Sequence, residues 1–332
     1  MKYCPSCLKE NYSTYCSICK KKLFGGNKVH HILPFTRPEF DQIKRARGGR
    51  LSISGIQIKH SLKLIGSDLV LTERGGEFIL KPIPSGQFEN LNTVPANEHV
   101  TMQIARQVFN VNVAENAIVF FADNEIAYIT KRFDVLASGK NLLQEDFAQI
   151  AQRTEDTHGQ NYKYDISYEE IAMLMKKHVA AYSIEIEKLY KIILYNYLIC
   201  NGDAHLKNFS LYRNEKYGDY LLTPFYDLIN TSIHVPGEGD TALKFFKDDF
   251  MSEGYKFSLK YKRDDFYVFG IRIGIKEKRM NLILNNITSK VSEIKTIVNR
   301  CFLENNLKEK YIESVGDRIN RLVYSFGKDD ER

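Results

Sequence analysis

Residues 186–200, IEKLYKIILYNYLIC, carry apolar groups on nearly every side of a helix. Such a helix is stable only when other elements cover it all round, so it must be central to its part of the fold. The chain leaves it directly into NGDAHLKN, residues 201–208. Small, polar and charged groups at the mouth of a buried helix fit either a helix-to-strand turn or a catalytic loop. The stretch IILYNYLIC is too short to cross a bilayer, which takes about 20 apolar residues.

Cysteine spacing is the second constraint. Cys4, Cys7, Cys16 and Cys19 form C-x2-C-x8-C-x2-C, and two such turns can bring four thiolates together tetrahedrally around zinc. So short a segment cannot bury enough apolar surface to fold alone, and a metal supplies the missing stabilisation. With four protein ligands the expected zinc is structural rather than catalytic. Redox dithiols or two short disulfides are the competing readings, the second disfavoured in a reducing cytosol. Cys200 and Cys301 stand alone in apolar surroundings and read as core. The start MKYCPSCLKE has no apolar signal region, so a cytoplasmic protein without a membrane partner is expected. A net charge of +6 favours anionic partners in general but is modest for a dedicated nucleic-acid binder.

KKKLFGGNKV reads as a basic, glycine-containing hinge and puts the first boundary near residue 30. From 51 to 83 the pattern alternates as strands do, with DLVL and EFILK placed around an Arg74-Gly75-Gly76 turn. Pro95 opens a helix at the first-turn position where proline is tolerated. NAIVFF and EIAYITKRF are two further strands. From about 141 the periodicity turns helical, with Ser167 and Glu170 forming a capping box, and FSLYRNEKYGDYLL reads as a hairpin turning near Gly218. The expected fold class is α+β, with a zinc-ribbon-like segment (1–30), a small β-rich lobe (31–135) and a larger, mostly helical lobe (136–332).

Phosphoryl transfer needs donors for nucleotide phosphates, a divalent metal held by carboxylate and amide oxygens, and a base that orients the attacking hydroxyl. Protein kinases supply these in a fixed chain order, and this sequence can be read in that order. Backbone N–H groups around Ser54, Gly55, Ile56 and Gln57 could face phosphates, with Lys59 adding charge; a flexible loop is the plainer reading. Lys81 ends EFILK, and Glu98 near the start of the next helix suits an ion pair with it, although a first-turn acid also complements the helix dipole. The connector Lys131, Arg132 and Phe133 could offer main-chain groups to an adenine edge. Asp203 and Asn208 have the D-x4-N spacing that lets one loop aim a carboxylate at a hydroxyl and an amide at a metal. His205 and Lys207 would face phosphate oxygens, and Asp227, after the hairpin, would be the second magnesium ligand. Each residue alone has a bland reading; the shared order favours the chemical one.

The segments SISGIQIK, FILKP, NEH, KRFD, LLQEDFAQ, GDAHLKNFSL and LTPFYDL resemble the HipA family of bacterial serine/threonine kinase toxins, over about residues 45 to 325. The resemblance implies a protein-kinase-like bilobal fold, magnesium-dependent use of ATP and control by a helix-turn-helix antitoxin, through which DNA would be met only indirectly. It makes Asp203 the catalytic aspartate, Asn208 and Asp227 the metal holders, and Lys81, the 54–59 turn, the 131–133 connector and His205 the ATP contacts. It implies transfer of phosphate to a protein, an aminoacyl-tRNA synthetase in the best-known members, and to a serine of the chain's own glycine-containing loop, Ser52 or Ser54. A phosphoserine there would add about −1.5 to −2 charges beside the nucleotide. Longer members carry a further N-terminal domain where this chain has its cysteine segment; a separately encoded protein could supply it, or the zinc segment could brace the lobe.

Two other classes fit parts of the pattern. One is a catalytically inactive kinase-like scaffold whose zinc ribbon binds nucleic acid or protein, helped by Lys20, Lys21, Lys22 and Lys28, though a lysine run is more often a solvated face. The other is a small-molecule kinase on the same fold.

Overall fold

The computed structural model describes residues 2–46, 59–136 and 138–325. The basic stretch after the cysteines is not a hinge throughout. Helix α1 (Ser17–Phe24) runs through Lys20–Lys22 and ends on Gly25, whose left-handed backbone (φ 64°) closes its last turn. A second helix, α2 (Arg37–Ala46), follows.

Gly66, also left-handed (φ 61°), folds β1 (His60–Ile65) tightly back on β2 (Asp68–Leu71). The Arg74-Gly75-Gly76 turn therefore does not close a hairpin between β2 and the next strand. It carries the chain across to the other side of β1, where β3 (Phe78–Pro82) pairs. Gly76 permits that crossing, because a Cβ there would lie 2.6 Å from the Cβ of Ser61. Helix α3 (Val94–Gln107) then leads to β4 (Asn116–Phe120) and β5 (Ile126–Lys131). The antiparallel order is β2-β1-β3-β5-β4.

Register assigns the two faces of this sheet. Leu62, Phe78, Leu80, Ala117, Val119, Ala127 and Ile129 join one buried cluster with Cys4, Tyr15, Cys16, Cys19, Leu23 and Phe24. Lys81 pairs with Tyr128 in the ladder, and both point to the opposite face, where Tyr128 packs with α3. The outer edge of β4 is covered by the amino-terminal segment: Ile118 N–H donates to the Pro5 carbonyl at 2.8 Å and Phe120 N–H to the His31 carbonyl at 2.9 Å.

The second half is helical except for a three-stranded sheet. Its first strand, β6 (Gln144–Asp146), is too short to alternate and lies where the periodicity suggested helix; it pairs with β7 (Ser210–Arg213), which pairs with β8 (Tyr220–Leu222). Two short helices, α4 (Phe147–Ile150) and α5 (Glu155–His158), precede α6 (Tyr168–His178), which Ser167 and Glu170 cap reciprocally. Helix α7 (Tyr182–Leu198) runs through the middle of the main core, wrapped by α6, α9 (Arg263–Arg272), α10 (Glu277–Thr288) and α12 (Asn305–Val323). Helices α8 (Glu253–Ser258) and α11 (Val291–Arg300) complete this half. Among the described residues no helix is long and apolar enough to cross a membrane.

Candidate active site

Two carboxylates and two ammonium groups from distant parts of the chain meet at the junction of the two halves. Lys81 is 2% exposed, and its Nζ pairs with Glu98 Oε1 on α3 and with Asp227 Oδ1 at 2.5 Å. The second oxygen of Asp227 pairs with Lys59 Nζ at 2.8 Å. Asp227 sits in the left-handed backbone region (φ 56°), unusual for a residue other than glycine. Burial works against charge on Lys81, but Asp227 and Glu98 outweigh it and its pKa is pushed up to about 12. Burial likewise raises the Asp227 carboxyl, and the Lys59 and Lys81 ammoniums together hold it well below the usual carboxylate range. Burial pushes the Glu98 pKa up against the pull of Lys81.

The loop after α7 is held from several sides. Gly202 N–H donates to Thr231 Oγ1 at 2.7 Å, and Glu238 packs so close that a Cβ on Gly202 would meet its carboxylate carbon at 2.2 Å. Asn208 accepts from the His205 N–H at 3.1 Å, which closes the loop on itself. Tyr226 donates to the Lys207 carbonyl at 3.0 Å and so ties Asp227 to this loop. Asp203 is left half exposed, accepting from the Tyr164 hydroxyl at 2.5 Å, with His205 Nε2 3.8 Å away. Burial lowers the His205 pKa to about 4, so the imidazole is neutral near pH 7. Burial and the bond to Asp203 both raise that of Tyr164.

A cleft of about 880 Å³ is lined by Lys59, Lys81, Glu98, Asp203, His205, Lys207, Asn208 and Asp227 together. A neighbouring cavity of about 350 Å³ is lined by Lys131, Arg132 and Phe133, and shares Lys59, Lys81, Tyr226 and Asp227 with the first. Its connector differs from expectation. Lys131 and Arg132 spend their N–H groups on the carbonyls of Glu115 and Glu77, at 2.7 and 2.8 Å, because the strand ladder continues through them. Their side chains turn to the Lys22 carbonyl and to Asp134. Phe133 stacks instead on Tyr226, with ring centroids 5.9 Å apart. Ser52, Ser54, Gly55, Ile56 and Gln57 lie outside the described residues. Tyr164, Tyr226, Thr231 and Glu238 were not singled out from the sequence, since no spacing rule links them to residues up to 39 positions away. The arrangement can gather an anion beneath four lysines, Lys59, Lys81, Lys163 and Lys207, next to an accessible carboxylate.

Away from this cleft, the sulfurs of Cys4, Cys7, Cys16 and Cys19 lie within 4.8 Å of one another, with Cys7 and Cys16 3.7 Å apart. Zinc bound tetrahedrally at about 2.3 Å separates its sulfurs by about 3.8 Å, so the cluster fits that ion.

A family model described as the HipA-like C-terminal domain matches residues 51–294. A Haemophilus influenzae protein named "Putative kinase" is 33% identical over 208 residues, 60% of this chain and 58% of that protein. The serine/threonine-protein kinase toxin HipA of Shewanella oneidensis is 24% identical over 209 residues, 58% of this chain and 46% of that one. The chain thus spans about half the length of the curated relatives it matches. A chain in the solved complex of Shewanella oneidensis HipA, HipB and operator DNA superposes with a TM-score of 0.63 at 20% identity, covering 88% of this chain and 73% of that chain. The Helicobacter pylori proinflammatory kinase CtkA superposes at 0.52 and 15% identity, covering 82% and 94%.

Proposed function

The chain belongs to the HipA-like C-terminal domain family, and from that premise we propose that it is an ATP-dependent serine/threonine protein kinase. In this reading the fold is bilobal and kinase-like, with residues 31–135 as the small lobe and 136–332 as the larger one. The observation that carries it is the ion cluster of Lys81, Glu98 and Asp227 in a cleft that Asp203 and Asn208 also line. Lys81, oriented by Glu98, would hold the inner phosphates of ATP. The cavity beside Phe133 and Tyr226 would take the base, and Lys59, Lys207 and neutral His205 would face the outer phosphates. Asp203 would accept the proton of the attacking hydroxyl; its exposure suits a hydroxyl presented by a protein rather than one enclosed with a small substrate.

Asp227 and Asn208 would hold magnesium. Their oxygens are the hard donors that ion takes, and the two ammoniums now facing Asp227 show that the position accommodates two positive charges. The ion, when bound, neutralises charge on the transferring phosphoryl group. The four cysteines would bind structural zinc in a ribbon-like segment over residues 1–30. A protein acceptor, a helix-turn-helix antitoxin partner and phosphorylation of the chain's own Ser52 or Ser54 complete the proposal.

Incubating the full chain with labelled ATP and magnesium tests it. The expected result is phosphate on the protein itself, at Ser52 or Ser54, falling by about 10²–10⁴ in rate on Asp203→Ala. Equal labelling of the Asp203→Ala protein would sink the assignment.

A further inference from the structure

The first pair of cysteines and the helix that carries Glu98 share one hydrogen-bonded seam. Along α3, His99, Gln103 and Gln107 recur at every fourth position, so they form a single stripe. His99 is fully buried and donates from Nε2 to the Ser6 carbonyl at 2.8 Å; its Nδ1 is buried without a partner, so this bond is what orients the ring. Gln107 donates to the Cys7 carbonyl at 3.0 Å. Gln103 donates to Asn116 Oδ1 at 2.8 Å, and Ser6 Oγ donates to the Asn116 carbonyl at the same distance. The turn Cys4-Pro5-Ser6-Cys7 is thereby fastened to α3, and to β4 through Asn116 and the Ile118 N–H bond to Pro5.

On the adjoining side of the same helix, one residue before His99, Glu98 reaches Lys81. Both contacts are buried, where no water can take over a broken hydrogen bond. A shift of the Ser6–Cys7 turn therefore passes to His99 or strands its imidazole. Movement of His99 carries Glu98 with it, because adjacent residues of a helix move as one body. The four sulfurs lie within 4.8 Å of one another, so a zinc ion bound by them would lock that turn to the second cysteine pair.

We infer that the metal-loaded cysteine turn is a strut that sets α3, and with it Glu98 against Lys81, so that zinc occupancy governs nucleotide affinity. His99 is then a positioning residue, acting through Glu98. The inference rests on the nucleotide-site reading given above and adds to it a means of control.

The test uses the full reduced chain, with zinc content measured alongside the affinity for a fluorescent ATP analogue with magnesium. Stripping zinc with a chelator is expected to weaken the analogue about tenfold, in the range of typical site-to-site coupling. Helical circular dichroism should persist, and zinc should restore binding. Lys81→Met should bind weakly and equally with or without zinc, because the coupled element is gone. A stripped, folded chain with unchanged affinity overturns the inference and leaves the kinase reading intact. Failure of the zinc-loaded wild type to bind the analogue overturns both. Should stripping melt the chain, His99→Leu with zinc in place decides. Weaker binding, seen in the KM for ATP more than in kcat and regained in His99→Gln, supports the strut; wild-type affinity in His99→Leu overturns it.

Discussion

Replacing Lys81 with methionine keeps the aliphatic stem and removes one positive charge from a site that is 2% exposed. The two carboxylates lose unequally. Asp227 keeps Lys59 at 2.8 Å and some contact with solvent, whereas the Glu98 side chain is 3% exposed and pairs with Lys81 alone among the described residues. Breaking such a buried pair costs about 3–5 kcal/mol, a large part of the total for a protein whose stability is about 5–15 kcal/mol. Glu98 can reduce that cost by taking a proton, and burial already pushes its pKa up. In the unfolded chain it titrates near about 4.3. The folded mutant therefore binds the proton more tightly, and its stability falls as pH rises from that value through the folded one. Urea unfolding of wild type and Lys81→Met at about pH 5 and about pH 8 should show the larger deficit at the higher pH. Adding Glu98→Leu should recover more than half of it, since no unpaired charge remains. Equal deficits at both pH values, with no recovery in the double variant, would refute the reasoning.

His205 titrates from 6.5 down to about 4 because it is buried, so the stability it contributes is present above 6.5 and lost as pH falls toward 4. His205→Gln should flatten the decline of melting temperature across that window by the equivalent of one proton; an unchanged slope would count against the assignment. Gly270 on α9 leaves no room for a side chain, because a Cβ there would lie 2.1 Å from Met280 Sδ and 3.2 Å from Tyr190 Cε2. Gly270→Ala should cost about 1–3 kcal/mol in urea unfolding despite the better helix propensity of alanine, and a gain in stability would show that Met280 can move aside.

Local chemistry was legible wherever the deciding partner sits close in the chain. The capping box of Ser167 and Glu170, the helix opened near Pro95 and the buried helix before residue 201 all depend on neighbours within a turn or two. The D-x4-N spacing picked out Asp203 and Asn208, and chain order picked out Lys81 and Asp227, all of which line one cleft. What escaped depends on long-range geometry. The pairing of β2 with β1 was decided by which of two glycine turns is tight, and β6 is ordered by β7 rather than by any pattern of its own. That Asp227 takes two lysines, or that Tyr164 reaches Asp203, follows from folding together segments with no periodicity in common. In the connector, the N–H groups of Lys131 and Arg132 are taken up by the carbonyls of Glu115 and Glu77, a continuation of the ladder that spacing along the chain does not reveal.

The amino-terminal segment and the five-stranded sheet share a single apolar interior, with Phe24 against Phe78 and Tyr15 against Phe24. Trimming the chain back to the family's matched region would not release a tidy catalytic unit. It would bare a greasy flank and an uncovered strand margin, an invitation to self-association. Splitting or engineering of this protein would have to keep its first forty residues with that sheet.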